Sequence, residues 1–295
     1  MLGVVNLDKP VGPTSHDMVG LLRRLTGTRR IGHAGTLDPL ASGVLPILVG
    51  HATRFSEELT GGRKRYEAVV RLGARSATDD SQGPIESTGA SLPDADAVRA
   101  ALDSFVGTFE QRPPDFSARK AGGKTAHRAA RAGAPIELPS RAVTVDAVEV
   151  LGFEPADGLL DVVIDVRCGP GTYIRSIARD LGTSLGCGGY LARLRRTEAA
   201  GLRAADAIAP ARLEELAAEG RLAEAVLPVG DLLPLPHVQL GDDEARAFRN
   251  GSARPNATAL NGRVAVFNHG ILLGIGSLDD GVLQPGKVLA PEEAG

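Results

Sequence analysis

The chain has no tryptophan, only three tyrosines and only two cysteines, and aromatic residues make up 3% of it. The two cysteines, Cys168 and Cys187, have no metal-ligand spacing between them, and a structural disulfide is not expected in a cytosolic chain. Nowhere do eighteen uncharged apolar residues follow one another, so no membrane span is expected. The opening "MLGVVNLDKP" lacks a basic stretch followed by a long apolar one and reads as a first strand rather than a secretory leader, which points to the cytoplasm. There is no Walker loop, no paired-glycine dinucleotide fingerprint, no H-E-x-x-H pattern and no G-x-S-x-G nucleophile elbow. The six histidines form no tight cluster. Neither a cofactor nor a metal is indicated.

Against these absences stands an ordinary globular composition, with 43% apolar and 23% charged residues over 295 positions. That length supports a substantial core and two domains. The formal net charge is -3, yet the charge is unevenly spread. Arg23, Arg24, Arg29 and Arg30 lie in one acid-free stretch. Arg63, Lys64 and Arg65 open another, and Arg193, Arg195 and Arg196 crowd a third. Between Arg112 and Arg131 six Lys/Arg residues stand against a single acid, Asp115. A one-sided basic face attracts a polyanion whatever the overall charge, although any single cluster is equally served by ordinary solvated charge.

The apolar pattern gives an α+β reading. Val4–Leu7 is a short strand, and Ser15–Leu25 a helix with a serine at its cap and an apolar stripe of Met18, Val19, Leu21, Leu22 and Leu25. The glycine-rich "GTRRIGHAGTLDP" is read as irregular. Val44–Val49 is a buried strand that Pro46 demotes or assigns to an edge. Tyr66, Ala68, Val70 and Leu72 share one face of an alternating strand. Val98, Ala101, Leu102 and Phe105 line a capped helix. The segment from Gln111 to Arg141 is long, basic and rich in breakers, with one short helix near Thr125–Ala132. A loop of this length carries function or is disordered. "AVTVDAVEVLGF" and "GLLDVVIDVRCG" read as neighbouring strands, and "GTYIRSIARDLGTSLG" as a helix. "RLEELAAEGRLAEAVLP" gives one or two amphipathic helices. Prolines near position 235 mark a boundary, after which a small strand-rich part follows.

Asp38 ends the glycine-rich loop just before an apolar run, and a buried carboxylate there needs a partner. Arg175, early in an otherwise apolar helix, is the better candidate for that partner than His33 in the same loop. Spacing alone is served as well by a turn aspartate and a separate surface arginine. Tyr66, flanked by basic residues, suits an aromatic platform beside an anion-binding rim. An ordinary strand tyrosine fits the pattern equally. Tyr173 stands at a helix start from which it can close the same pocket. A single aspartate acting covalently is chemically reasonable.

Taken together, "NLDKPVGPTSHD", "GHAGTLDPLASGVLPILVG", "KRYEAVVRLG", "CGPGTYIRSIARDLGTSLG" and "LARLRRTEAAG" resemble, in order, the motifs of the TruB family of bacterial tRNA pseudouridine-55 synthases, over most of Val4–Gly201. The resemblance implies a pseudouridine synthase fold with a mixed, largely antiparallel central sheet flanked by helices, and a small C-terminal PUA-like β domain. It implies a catalytic domain over 1–235, with a basic RNA-clamping insert at about 112–135, and an RNA-binding domain over 236–295. The implied reaction isomerises the T-arm loop uridine of tRNA at position 55. The N1–C1′ bond breaks, the uracil turns, and a C5–C1′ bond forms. Asp38 is then the essential carboxylate, attacking C1′ or C6 or assisting a glycal intermediate. Tyr66 stacks on the flipped base and takes part in C5 proton removal, and Arg175 pairs with Asp38. Tyr173 lines the uridine pocket, His33 inserts near the displaced nucleotide, and Lys9 and Leu194 support the pocket. Arg119, Lys120, Lys124 and Arg128 belong to the insert that would fold against the T-arm. The implied partner is the T-arm stem-loop, with no membrane and no obligate protein partner, and a monomer suffices. Two other readings are kept: a non-catalytic tRNA-binding or tRNA-folding protein, and a nucleoside hydrolase that would release free uracil.

Overall fold

A computed structural model describes residues 1–116 and 138–290, together with the backbone of Lys120–Ala121 and Lys124–Thr125. By its internal contacts the chain divides into two units. One comprises Met1–Leu37, Gly43–Gly62 and Ala199–Gly295, the other Asp38–Ser42 and Arg63–Glu198. Among the described residues no helix is long and apolar enough to cross a membrane.

In the first unit, strand Gly3–Lys9 runs antiparallel to strand Ala41–Val49, from Gly3 opposite Val49 to Lys9 opposite Gly43. Helix Ser15–Thr26 begins at Thr14, not at the serine expected to cap it. The Thr14 hydroxyl accepts from the Asp17 N–H, and the Asp17 carboxylate accepts from the Thr14 N–H at 2.8 Å, a reciprocal pair that satisfies two otherwise orphan donors. Ser15 is buried inside the first turn and holds both backbone groups of Leu37. Its hydroxyl donates to the carbonyl at 2.9 Å and accepts from the N–H at 2.8 Å. The residue before Asp38 is thereby fixed. The loop read as irregular contains a three-residue strand, Ile31–His33, paired with Ile47–Val49, because Ile31 is apolar and buried there. His33 is its last residue and is half-buried.

Pro46 does not sit on an edge strand. Ala41–Val49 is paired on both sides at its end, with Gly3–Lys9 and with Ile31–His33. The Pro46 carbonyl accepts from the Ala34 N–H at 2.9 Å, so the position where its own N–H would point lies just beyond the last paired residue of the short strand.

The Pro236-onward part of this unit is a five-stranded sheet in the order His237–Gln239, Gly262–Asn268, Ile271–Asp279, Val282–Val288, Arg254–Pro255. Helix Asp242–Arg249 buries Ala245 and Phe248 in a small core with Val264, Val266 and Leu273. A second and larger core joins Phe267, Leu272, Ile275 and Leu289 to Val4, Val44, Leu48 and Phe55 from the beginning of the chain. At about 1.5–3 kcal/mol for each large apolar side chain fully buried, this shared cluster is a main source of stability for the unit.

In the second unit five strands follow one another in the order Gly189–Ala199, Lys64–Leu72, Leu159–Cys168, Arg141–Ala156, Gly107–Gln111. The last four are antiparallel. The face read in Lys64–Leu72 is buried, with Tyr66, Ala68, Val70 and Leu72, while on the other face Val69 is buried as well. Helices Ala95–Asp103 and Ile174–Ser184 complete the unit, the first capped by the Asp94 carboxylate, which accepts from the Ala97 N–H at 2.8 Å. The α+β class and largely antiparallel pairing are those expected. Arg119 and Arg128 lie outside the described residues, as does the helix expected near Thr125–Ala132 apart from Thr125 itself. The backbones of Lys120 and Lys124 lie in two short paired strands, Lys120–Ala121 and Lys124–Thr125.

Candidate active site

The second unit holds Asp38, Tyr66, Tyr173, Arg175 and Leu194, while Lys9 and His33 belong to the first. Asp38 closes the loop with its carbonyl, which accepts from the Ala41 N–H at 3.0 Å, and its side chain is 36% exposed. Arg175 Nη2 reaches Asp38 Oδ2 at 2.9 Å, although the guanidinium itself is only 4% exposed. An arginine stays charged at any ordinary pH, so its burial demands several acceptors. Arg175 finds them in the carbonyls of Thr78, at 3.3 Å, and Phe116, at 3.0 Å. A second carboxylate, Asp80, stands 3.7 Å from Nε and is 5% exposed.

Asp80 is the site residue that sequence reasoning missed. Its loop is held against strand Gly189–Ala199, where the Leu191 N–H donates to the Asp79 carbonyl at 3.0 Å and the Ser81 N–H to the Leu191 carbonyl at 3.0 Å. Asp80 Oδ1 also accepts from the Thr78 hydroxyl at 2.6 Å and the Gln82 N–H at 3.0 Å. One helical turn beyond Arg175, Arg179 Nη1 meets Asp79 at 2.9 Å. Residues four apart share a helix face, so one face of Ile174–Ser184 grips two consecutive aspartates. "RSIAR" and "DD" carry this signal in the sequence, but nothing in their spacing brings them together.

Tyr173 precedes the helix. Its N–H donates to Gln111 Oε1 at 2.8 Å, Gln111 Nε2 donates to its carbonyl at 3.1 Å, and Arg141 lies over its ring at 5.4 Å. The peptide is thus clamped and the ring carries a cation on one face. Gly171, beside the Arg141 guanidinium, has φ 81°, in the left-handed region that favours glycine. Leu194 is half-buried on strand Gly189–Ala199. In the first unit, the buried Lys9 ammonium donates to the carbonyls of Pro10, at 2.8 Å, and Pro13, at 2.7 Å, and so ties the turn in "DKPVGP".

The basic residues beside Tyr66 do not form the open anion-binding rim expected. Lys64 is buried on the same strand face as Tyr66, and Arg65, on the other face, donates from Nε to both Asp165 oxygens at 2.9 Å. The cluster at Arg193–Arg196 is split in the same way. Arg193 is exposed, whereas Arg196 is 1% exposed and hydrogen-bonds the Tyr66 side chain. Burial pushes the Tyr66 phenol above its ordinary value, against the charge and hydrogen bond of Arg196, and the Asp38 carboxylate adds to the rise. Burial, then the charge of Arg196, brings the Lys64 ammonium down to about 8. Cys168, opposite Lys64 in the strand pair, is buried and its thiol is pushed up to about 11. Altered ionisation gathered in one cluster of neighbouring side chains is characteristic of functional sites. Chemically, the arrangement offers a partly open carboxylate with a permanent counter-charge, and an aromatic hydroxyl within its electrostatic reach.

Residues 23–174 match the N-terminal domain of the TruB family of pseudouridylate synthases. Residues 175–234 match the tRNA pseudouridylate synthase B C-terminal domain, and residues 236–289 the C-terminal part of pseudouridine synthase II TruB. The chain is similar to the tRNA pseudouridine synthase B of Thermobifida fusca, with 44% identity over 98% of each chain. With that of Ralstonia nicotianae the identity is 40%, covering 97% of this chain and 94% of the relative. Among solved structures it is similar to one described as a Cbf5-Nop10-Gar1 complex, with a TM-score of 0.75 and 27% identity over 99% of this chain and 86% of the other. With this breadth of agreement, the chain belongs to the TruB family of pseudouridylate synthases.

Proposed function

We propose that the protein converts uridine 55 in the T-arm loop of tRNA to pseudouridine, with Asp38 as the essential carboxylate. The observation that carries this is the pairing of a partly exposed Asp38 with a buried Arg175 at 2.9 Å. Such a carboxylate is oriented by its partner and reachable by a substrate. The relatives named tRNA pseudouridine synthase B support tRNA as substrate.

A stacked loop nucleotide hides its glycosidic bond, so the uridine has to leave the stack, at a cost of a few kcal/mol. In the proposed reaction Tyr66 and Tyr173 offer faces to the extruded base, and Leu194 lines the pocket. Asp38 drives the exchange of the N1–C1′ bond for C5–C1′. The proton then leaves C5 for Tyr66, its bond pair restores the C5–C6 double bond, and the pair released from C6 returns to N1, which takes a proton in place of its lost bond to C1′. The buried Lys9 holds its own turn in this reading, while His33 and the insert residues Arg119, Lys120, Lys124 and Arg128 serve RNA binding, as does the part from 236 onward. Their phosphate contacts give affinity that falls as salt rises. The protein works as a monomer in the cytoplasm.

The test is a T-arm hairpin transcript, assayed for pseudouridine with no metal or nucleotide added. Wild-type protein should form pseudouridine. Asp38→Asn should abolish turnover while binding the hairpin within a few-fold of wild type. Near-wild-type turnover in that variant, or release of free uracil by the wild type, would overturn the reading.

A further inference from the structure

Arg196 stands apart from the Asp38 pair. It is the largest fully buried side chain among the described residues, and it reaches the Tyr66 side chain from the adjacent strand. The guanidinium only donates hydrogen bonds, so the phenolic oxygen is the acceptor. We propose that Arg196 is a positioning residue for Tyr66, holding its oxygen in place and stabilising the phenolate needed to take the C5 proton. This rests on the base role given to Tyr66 above.

The chemistry requires such a partner. A phenol that already holds its proton cannot accept the one on C5, and a buried phenolate has lost its water. Among the described residues, several charged or titratable groups act on Tyr66 or its immediate surroundings. Lys64 precedes it by two residues on the same face, Cys168 lies on the paired strand, Asp38 lies on the loop, and Arg196 lies on the strand at its other side. Asp38 and the burial itself oppose ionisation, as does Cys168, whereas Arg196 favours it. Arg196 also favours the neutral amine on Lys64. Being permanently charged, Arg196 supplies a constant field at the phenol across the working pH range.

The scarcity of aromatic residues makes the test direct. With three tyrosines and no tryptophan, the near-ultraviolet tyrosinate signal of wild type minus that of Tyr66→Phe isolates the ionisation of Tyr66. In Arg196→Met the Tyr66 midpoint should rise by about one to two pH units, the size expected for losing a hydrogen bond to a charged group. On a T-arm hairpin, kcat should fall by about ten- to a hundred-fold with KM little changed, and the rising limb of the kcat–pH profile should move the same way. Arg196→Lys should retain part of both effects, and serves for the titration if the methionine variant does not fold. A fluorinated tyrosine at position 66, which ionises more readily, should restore turnover to Arg196→Met. A merely structural arginine would not be rescued in that manner. An unmoved Tyr66 titration in Arg196→Met, with Tyr66→Phe crippled, would overturn the inference alone. Wild-type turnover in Tyr66→Phe would instead overturn the role of Tyr66, whatever Arg196 does.

Discussion

Asp38 and Arg175 form one ion pair but are not interchangeable. Asp38 is 36% exposed, so its charge is largely cared for by water when the partner is lost. Arg175 is 4% exposed and serves Asp80, itself 5% exposed, as well. Arg175→Ala therefore strands a buried carboxylate, a change that costs about 3–5 kcal/mol. Asp38→Asn should stay within about 1 kcal/mol of wild type, as for partly exposed pairs. Denaturant melts run beside turnover assays on the same samples should show both variants inactive, with only Arg175→Ala strongly destabilised. Equal stability losses would contradict the asymmetry. Asp38 and Arg175 were legible because each is a charge misplaced in apolar or glycine-rich sequence. Asp80 and Arg196 were not. Asp80 sits in a polar loop where an aspartate needs no explanation, and Arg196 stands among surface-like arginines, so strand pairing alone reveals their burial.

The helix Ile174–Ser184 carries Arg175, and a glycine sets its distance from the sheet. A Cβ on Gly182 would lie 2.0 Å from the backbone nitrogen of Gly189, and the Gly188 N–H donates to the Gly182 carbonyl at 2.8 Å. Two backbones touch at this point, so neither can yield as a side chain would. Gly182→Ala should destabilise by about 1–3 kcal/mol, as overpacking does, and slow turnover by shifting Arg175. A thermal melt and an activity assay check this, and an alanine variant with wild-type values in both would contradict it. Elements of this kind were largely readable from sequence, because half-buried strands such as Lys64–Leu72 must alternate and amphipathic helices must keep an apolar stripe. The exceptions share a cause. Pro46 stays in an interior strand because its neighbour ends at His33, and Ser15 leaves its cap to Thr14 because Leu37 needs it. Both depend on a segment distant in sequence.

Across the first unit, Glu58 ties the early part of the chain to the late sheet. It is 3% exposed and bound by Arg263 and by Lys287, the latter at 2.9 Å. Burial would raise its carboxyl, but the hydrogen bonds from Lys287 and Arg263 outweigh it and hold the group below its ordinary value of 4.5. A carboxylate depressed in the folded state stabilises fully above its unfolded value and loses that contribution as pH falls through the folded one. Stability should therefore begin to drop below about pH 4.5 through this group. Glu58→Gln should lose about 2 kcal/mol at neutral pH and flatten that acid limb, as read from urea midpoints against pH. An unchanged acid limb would remove Glu58 from the account. The core shared by Val4 and Leu289 has a further consequence, for biosynthesis. Closing so long a loop adds little to the equilibrium cost, since each doubling is worth about 0.6 kcal/mol, but distant contacts slow the search. On the ribosome the first strand pair, complete at Val49, emerges with its apolar side only partly covered and stays so until about 240 further codons, as far as Leu289, have been read. The strands between Lys64 and Ala199 can meanwhile assemble among themselves, leaving the oldest residues of the nascent chain the last to find their place.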